Sequence, residues 1–200
     1  KFYHKQDEKI WKMDNSILEL YGKTVGFIGT GSIAGETAKR LEAFGVKIIG
    51  INTNGKEAKY FNQCYSINKI EEIVPKLDVL IVSAPYTEKT HHLVGEKVFD
   101  SMKDGTYLIN IARGSIIDEE ALIKNLKSGK IKKAALDVFE AEPLPKNSSL
   151  WEFDNVIISP HNSWASEMNS RREYEIAYKN MKKYINGEEL INVIDLKKGY

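Results

Sequence analysis

Short, uninterrupted apolar runs alternate along this chain with stretches whose apolar residues recur at helical spacing. The run Thr24, Val25, Gly26, Phe27, Ile28 predicts a buried strand. Over 33–44 the apolar side of a helix is laid out by Ile33, Ala34, Thr37, Ala38, Leu41 and Phe44, and Gly45 supplies a stop. Further strands are predicted at 46–51, 79–82, 107–111, 134–138 and 156–158, and helices at 70–74, 95–102 and 118–126. Runs apolar on both faces and joined by helices imply a parallel sheet with right-handed crossovers. The expected fold is therefore α/β, a Rossmann-like doubly wound parallel sheet. No repeat or low-complexity tract is present, which removes solenoid architectures.

Both ends depart from this alternation. Residues 1–19 are polar with scattered apolar positions (Phe2, Ile10, Trp11, Ile17, Leu18), the pattern of a linking helix or arm laid against another surface. Residues 20–163 are expected to form the sheet domain, and 164–200 a helical segment outside it. In that last part Met168, Tyr174, Ala177, Tyr178, Met181 and Tyr184 make a helical stripe over 166–185, ended by Asn186-Gly187. The apolar residues 190–194 are expected to pack on something other than the main sheet.

Composition narrows the partners. At 200 residues and 42% hydrophobic content the chain can bury a substantial core, but two full domains would fit tightly. Net charge is +1, with both signs interspersed, so neither nucleic acid nor a membrane surface is an expected partner. The single cysteine, Cys64, rules out an internal disulfide and a multi-thiolate metal site, and suits a reducing cytoplasm. No metal is expected. The adjacent His91 and His92 are expected to point in different directions and lack a third ligand spaced nearby. Asp118, Glu119 and Glu120 belong at a helix N-terminus, where carboxylates are favoured.

Chemistry enters at the turn Gly29-Thr30-Gly31-Ser32-Ile33-Ala34, which matches G-x-G-x-x-G/A between a strand and a helix. The first glycine permits the turn, the second lets backbone approach a pyrophosphate, and a small third residue lets helix and strand pack closely. At the end of the second strand, where an acidic residue would bind a ribose 2′-hydroxyl, stands Asn52, followed by Thr53. Asn can bond a ribose hydroxyl without repelling a 2′-phosphate, so NAD and NADP both stay open; a simple polar turn is the alternative.

Three further residues follow strands. Arg113, in Asn110-Ile111-Ala112-Arg113-Gly114, is placed to clamp a carboxylate and polarise a carbonyl. Glu142 and Asp137 lie in Leu136 to Pro143, where Glu140 is expected to be solvated. His161 closes the last strand with the side chain best suited to proton transfer near neutral pH, and a carboxylate partner would hold it in one tautomer.

These segments together resemble the family of D-isomer-specific 2-hydroxyacid dehydrogenases, which includes phosphoglycerate dehydrogenase and glyoxylate/hydroxypyruvate reductases. The resemblance implies hydride transfer between NAD or NADP and a small 2-oxo/2-hydroxy acid. By it, Arg113 binds substrate, His161 is the general acid/base and Glu142 hydrogen-bonds His161. Gly29, Gly31, Ser32 and Ile33 surround the pyrophosphate, Ala84, Pro85 and Tyr86 line the cofactor path with Ala112 also on the cofactor side, and Asp137 holds the nicotinamide carboxamide. It also implies a cytoplasmic homodimer, and a substrate lobe built mainly from residues preceding this chain, of which 164–200 is the return segment. Asn52 stands where the family often has an acid, Tyr86 where it often has a smaller residue, and Trp164 where many members have Gly. The competing reading is an NAD(H)-responsive, non-catalytic corepressor-type protein, against which the retention of Arg113, Glu142 and His161 together argues.

Overall fold

The computed structural model describes residues 6–13 and 17–196. The apolar runs become β1 (Thr24–Ile28), β2 (Lys47–Asn52), β4 (Val79–Val82), β5 (Thr106–Asn110), β6 (Ile131–Leu136) and β7 (Val156–Ile158), with a further strand, β3 (Gln63–Ser66). All pair in parallel, in the order β3-β2-β1-β4-β5-β6-β7. The helices are α1 (Ser32–Leu41), α2 (Ile70–Ile73), α3 (Glu96–Ser101), α4 (Glu119–Ser128) and α5 (Asn169–Ile185).

Alternation along the strands explains why both faces are covered. Phe27, Ile48 and Ile81 join Ala34 and Ala38 of α1 in one apolar layer. Their neighbours Ile28, Ile49 and Leu80 face the other layer, with Phe99 of α3 and Leu122 of α4. Ala34 and Ala38 are buried, and their small side chains let α1 lie close on the sheet.

Differences from the expected elements have local causes. Strand β3 escapes the apolar pattern because Gln63-Cys64-Tyr65-Ser66 is an edge strand, paired only with β2 and partly exposed. Helix α1 stops at Leu41, and a 3-10 turn over Glu42–Phe44 leads to Gly45 at φ 65°. Strand β6 starts earlier than expected, at Ile131, and ends at Leu136. Asp118 caps α4, its side chain accepting from the Ala121 N–H at 3.0 Å, which accounts for the acidic cluster there.

The N-terminal arm is described only in part. Phe2 lies outside the described residues, and Trp11, Met13, Ile17 and Leu18 are exposed. Helix α5 buries none of its residues, so Tyr174, Tyr178, Met181 and Tyr184 face outward. After Asn186-Gly187, the final apolar segment returns to α5 rather than the sheet. Ile191 N–H donates to Asn180 Oδ1 at 2.8 Å, and Asn180 Nδ2 donates to the Ile191 carbonyl at 3.0 Å. Among the described residues no helix is long and apolar enough to cross a membrane.

Candidate active site

Because the strands are parallel, the loops after β1, β2, β4, β5, β6 and β7 all open at one edge of the sheet. Strand order reverses between β1 and β4, the position where open α/β sheets form a ligand crevice. The glycine turn lies at that point. Gly29 has φ 92°, its N–H donates to the Ile51 carbonyl at 2.8 Å, and a β-carbon on it would sit 2.8 Å from Ala84 Cα and N. Only glycine therefore lets the β1 turn lie against the Ala84-Pro85 segment.

Gly31 precedes α1 in extended conformation, and no side chain caps the helix. A β-carbon at Gly31 would meet nothing within 4 Å, so the chain is open to a ligand at that position, and the first-turn N–H groups have no intrahelical acceptor. Ser32 and Ile33 are exposed beside it, and Ala84 and Ala112 are buried further along the same edge. An uncapped helix start with room in front of it fits a dinucleotide pyrophosphate.

At the end of β2, Asn52 is engaged within its own turn. Its Oδ1 accepts from Gly55 N–H at 2.7 Å, while Nδ2 donates to Thr30 Oγ1 at 3.1 Å and to the Lys56 carbonyl at 2.8 Å. The Asn52 side chain thus ties the second strand end to the glycine turn. Thr53 is exposed beside it, its carbonyl accepting from Ser66 Oγ at 3.2 Å.

The three ionisable residues meet at the far side of the crevice. Buried Asn110 shapes the loop after β5, accepting from Ala112 N–H and donating to the Arg113 carbonyl, both at 3.1 Å. Arg113 is exposed, with Nη1 donating to the Ala112 carbonyl at 2.6 Å. Next to it, a β-carbon on Gly114 would overlap the Phe139 carbonyl and the Glu140 nitrogen, so the β5 and β6 loops touch backbone to backbone. The Phe139 N–H donates to Glu142 Oε1 at 2.9 Å, and Glu142 Oε2 lies 2.7 Å from His161 Nδ1. Burial alone would raise the Glu142 carboxyl. The hydrogen bonds from His161 and the Phe139 N–H, with the charges of His161 and Arg113, outweigh it and hold the group below its ordinary range. Glu142 is thus ionised at neutral pH and fixes the imidazole through Nδ1, which leaves Nε2 free to exchange a proton with a ligand.

Asp137 does different work. It is only 3% exposed, and its oxygens accept from Ser159 Oγ at 2.6 Å, Asn162 N–H at 2.8 Å and Ser163 N–H at 3.0 Å. Its carbonyl accepts from the His161 N–H at 2.8 Å. Asp137 is therefore the hub that shapes the loop bearing His161, itself at φ 51°. Burial would raise its carboxyl, but the Ser159 and Ser163 hydroxyls and the two loop N–H groups prevail and lower it to about 2. A depressed carboxyl stabilises the fold above its ordinary value of 3.8, and that contribution drains away as pH falls towards 2. The gap is worth about 2 kcal/mol. Urea melts of wild type and Asp137→Asn from about pH 5 to pH 2 should therefore converge as acid removes the difference. An offset between the two that is constant with pH would contradict this role.

Two contacts were not foreseen from the sequence. Glu140, expected as a solvated carboxylate, is exposed at the rim but pairs with His92 Nε2 at 2.5 Å. Contrary to the expected divergence of the two side chains, His92 stacks on His91, and His91 Nδ1 lies 3.4 Å from the Tyr86 hydroxyl. No spacing signal links His92 to Glu140, which are brought together only by the sheet order. Trp164 is anchored by its indole N–H to the His161 carbonyl at 2.9 Å and leaves its ring exposed.

A doubly wound parallel sheet with a dinucleotide-type turn and a histidine–carboxylate pair at its carboxyl edge defines the NAD-binding domain of a dehydrogenase. The chain belongs to the D-isomer specific 2-hydroxyacid dehydrogenase family, whose NAD binding domain matches residues 1–163. A glyoxylate reductase of Thermofilum pendens is 41% identical over 171 residues, covering 85% of this chain and 50% of that protein. A D-3-phosphoglycerate dehydrogenase of Methanocaldococcus jannaschii is 40% identical over 180 residues, or 90% of this chain and 34% of that one. Among solved structures, a D-isomer specific 2-hydroxyacid dehydrogenase from Xanthobacter autotrophicus Py2 in complex with NADPH and MES superposes with a TM-score of 0.87. It is 30% identical, covering 100% of this chain and 81% of that one. The chain spans about half the length of the curated relatives it matches.

Proposed function

We propose that the protein containing this chain reduces small 2-oxo acids to D-2-hydroxy acids, reversibly, with NAD(H) or NADP(H). The observation that carries the proposal is the 2.7 Å contact of His161 Nδ1 with Glu142 Oε2, beside Arg113 and across the sheet edge from the glycine turn. Gly29, Gly31, Ser32 and Ile33 would hold the pyrophosphate, Asn52 and Thr53 the ribose side, and Ala84, Pro85 and Ala112 the path to the nicotinamide. The cofactor, when bound, supplies or accepts the hydride.

The remaining chemistry belongs to side chains. Arg113 would leave its bond to the Ala112 carbonyl to clamp the substrate carboxylate and polarise the adjacent carbonyl oxygen. His161 would donate a proton from Nε2 to that oxygen in reduction and take it back in oxidation. Glu142 keeps the ring oriented through Nδ1. Asp137, besides shaping the His161 loop, is the residue we assign to the nicotinamide carboxamide. It would reach that group only by sharing or giving up one of its loop N–H bonds.

The division into an arm (1–19), a dinucleotide-binding domain (20–163) and a return segment (164–200) follows the same reading. The outward stripe on α5 supports packing of that helix against a substrate lobe. We infer a cytoplasmic homodimer for the assembled protein on family analogy.

The carboxylate clamp provides the test. In the full-length protein, Arg113→Ala should lower kcat/KM for glyoxylate and hydroxypyruvate by about a hundredfold or more, the range for losing a charged partner in a desolvated site. Dinucleotide affinity should stay within about twofold, since Arg113 touches the substrate side only. An unchanged kcat/KM would remove Arg113 from the site and with it the substrate class.

A further inference from the structure

A second histidine–carboxylate pair stands beside the first. His92 and Glu140 meet at 2.5 Å, His161 and Glu142 at 2.7 Å, and the two carboxylates are separated in sequence only by Ala141. Neither the glycine turn nor the proton-transfer pair uses His92.

Its connections run to both halves of the site. Through its backbone, His92 donates to the Ser115 carbonyl at 2.8 Å, and Val94 donates to Ile116 at 3.0 Å, so the segment after β4 is stitched to the loop that begins with Arg113-Gly114. Through its ring it holds Glu140. The Phe139–Glu140 peptide is in turn wedged against Gly114, and the Phe139 N–H holds Glu142. One side chain therefore closes a ring of contacts: the Arg113 loop, the 139–142 turn, and the segment after β4.

What faces the pair makes it more than an exposed ion pair, which alone would add little. Glu119, at the start of α4, accepts from the Glu140 N–H and donates its own N–H to Glu140 Oε1, both at 3.4 Å. Two carboxylates thus converge on one turn. Burial, joined by the Glu140 charge, raises the Glu119 carboxyl despite the opposing bond from the Glu140 N–H. On the other side are the stacked ring of His91 and, through it, Tyr86. His92 Nε2 is the side-chain partner that Glu140 Oε1 has at this place, beside the longer bond from the Glu119 N–H. Without it, the Glu140 side chain keeps only the 3.4 Å bond from the Glu119 N–H.

We propose that His92 is a positioning residue: by binding Glu140 it locks the 139–142 turn against Gly114 and so fixes Glu142, and through it the His161 ring, relative to Arg113. The inference rests on the dehydrogenase reading for its kinetic consequence, but not for its structural one.

The test uses the full-length protein with His92→Phe, His92→Gln and Glu140→Gln, alone and combined. His92→Phe removes the donor, whereas His92→Gln keeps an amide donor for Glu140. His92→Phe is expected to lower kcat about tenfold, since a misplacement of about 1 Å at a catalytic group can cost up to a hundredfold. The dissociation constant for NADH should change less than kcat, because the ring of contacts includes the segment after β4 but not the glycine turn that would hold the pyrophosphate. His92→Gln should restore most of the loss, and the His92→Phe/Glu140→Gln double variant should lose no more than the worse single. Independently of turnover, the ring resonances of His161, read by nitrogen–proton NMR, should move in His92→Phe and return in His92→Gln. His161 resonances that ignore His92→Phe would overturn the proposal, as would additive kinetic losses or a loss that His92→Gln does not repair. A wild-type protein that turns over no 2-oxo acid, yet shows the His161 response, would sink the dehydrogenase reading and leave the positioning role standing.

Discussion

In the full-length protein, His161→Asn is expected to lower kcat by about a thousandfold, within the range attributed to a positioned general acid. The substitution is chosen for the backbone. His161 sits at φ 51°, a conformation in which Asn is several-fold enriched, so the loop is not strained by the change. The anchors of that loop survive as well, because the residue's N–H still donates to the Asp137 carbonyl and Asp137 still gathers Ser159, Asn162 and Ser163. What disappears is a titratable ring bound to Glu142. Rapid-mixing kinetics at saturating cofactor and substrate, with NADH affinity measured by fluorescence, separate the two effects. The expected result is lost turnover with retained binding; a fall in kcat smaller than about tenfold would remove His161 from proton transfer.

Gly114→Ala should be nearly as damaging for a steric reason. The new methyl group would overlap the Phe139 carbonyl and the Glu140 nitrogen, which are backbone atoms and cannot rotate away as a side chain would. Either the β5 loop or the 139–142 turn must move. The first carries Arg113 and the second holds Glu142 through the Phe139 N–H at 2.9 Å. Overpacking of this kind costs about 1–3 kcal/mol of stability. The accompanying shift should lower kcat/KM by about a hundredfold. Urea denaturation and steady-state kinetics on the same preparation check both parts. Stability and activity within the wild-type range would mean that the two loops are not locked together as described.

The sheet could be read from the sequence because a parallel strand buried on both faces leaves an apolar run with no polar interruption, as in Val79–Val82. Strand β3 could not, since Gln63-Cys64-Tyr65-Ser66 sits at an edge where one flank needs no apolar residues. The gathering of the candidate residues was legible for the same topological reason: Arg113, Glu142 and His161 each come after an apolar run, and parallel order brings those ends to one edge. The roles of His92 and of Asp137 as loop hub were not legible. His92 and Glu140 lie 48 positions apart and meet only because β4, β5 and β6 are neighbours. Asp137 looks like any strand-end carboxylate until its oxygens are seen to gather three donors from the loop after β7. At Asn52 the position gave the candidate ribose contact, but not the bonds its amide makes to Thr30, Gly55 and Lys56.

The central claim is that Arg113 and His161 present a 2-oxo acid to a dinucleotide held at the Gly29 turn. Chiral chromatography of the product formed from hydroxypyruvate by the full-length protein, supplied in parallel with NADH and NADPH, tests it most directly. D-glycerate, formed with at least one cofactor and lost in His161→Asn, is the predicted result; L-glycerate, or no product with either cofactor, would contradict it.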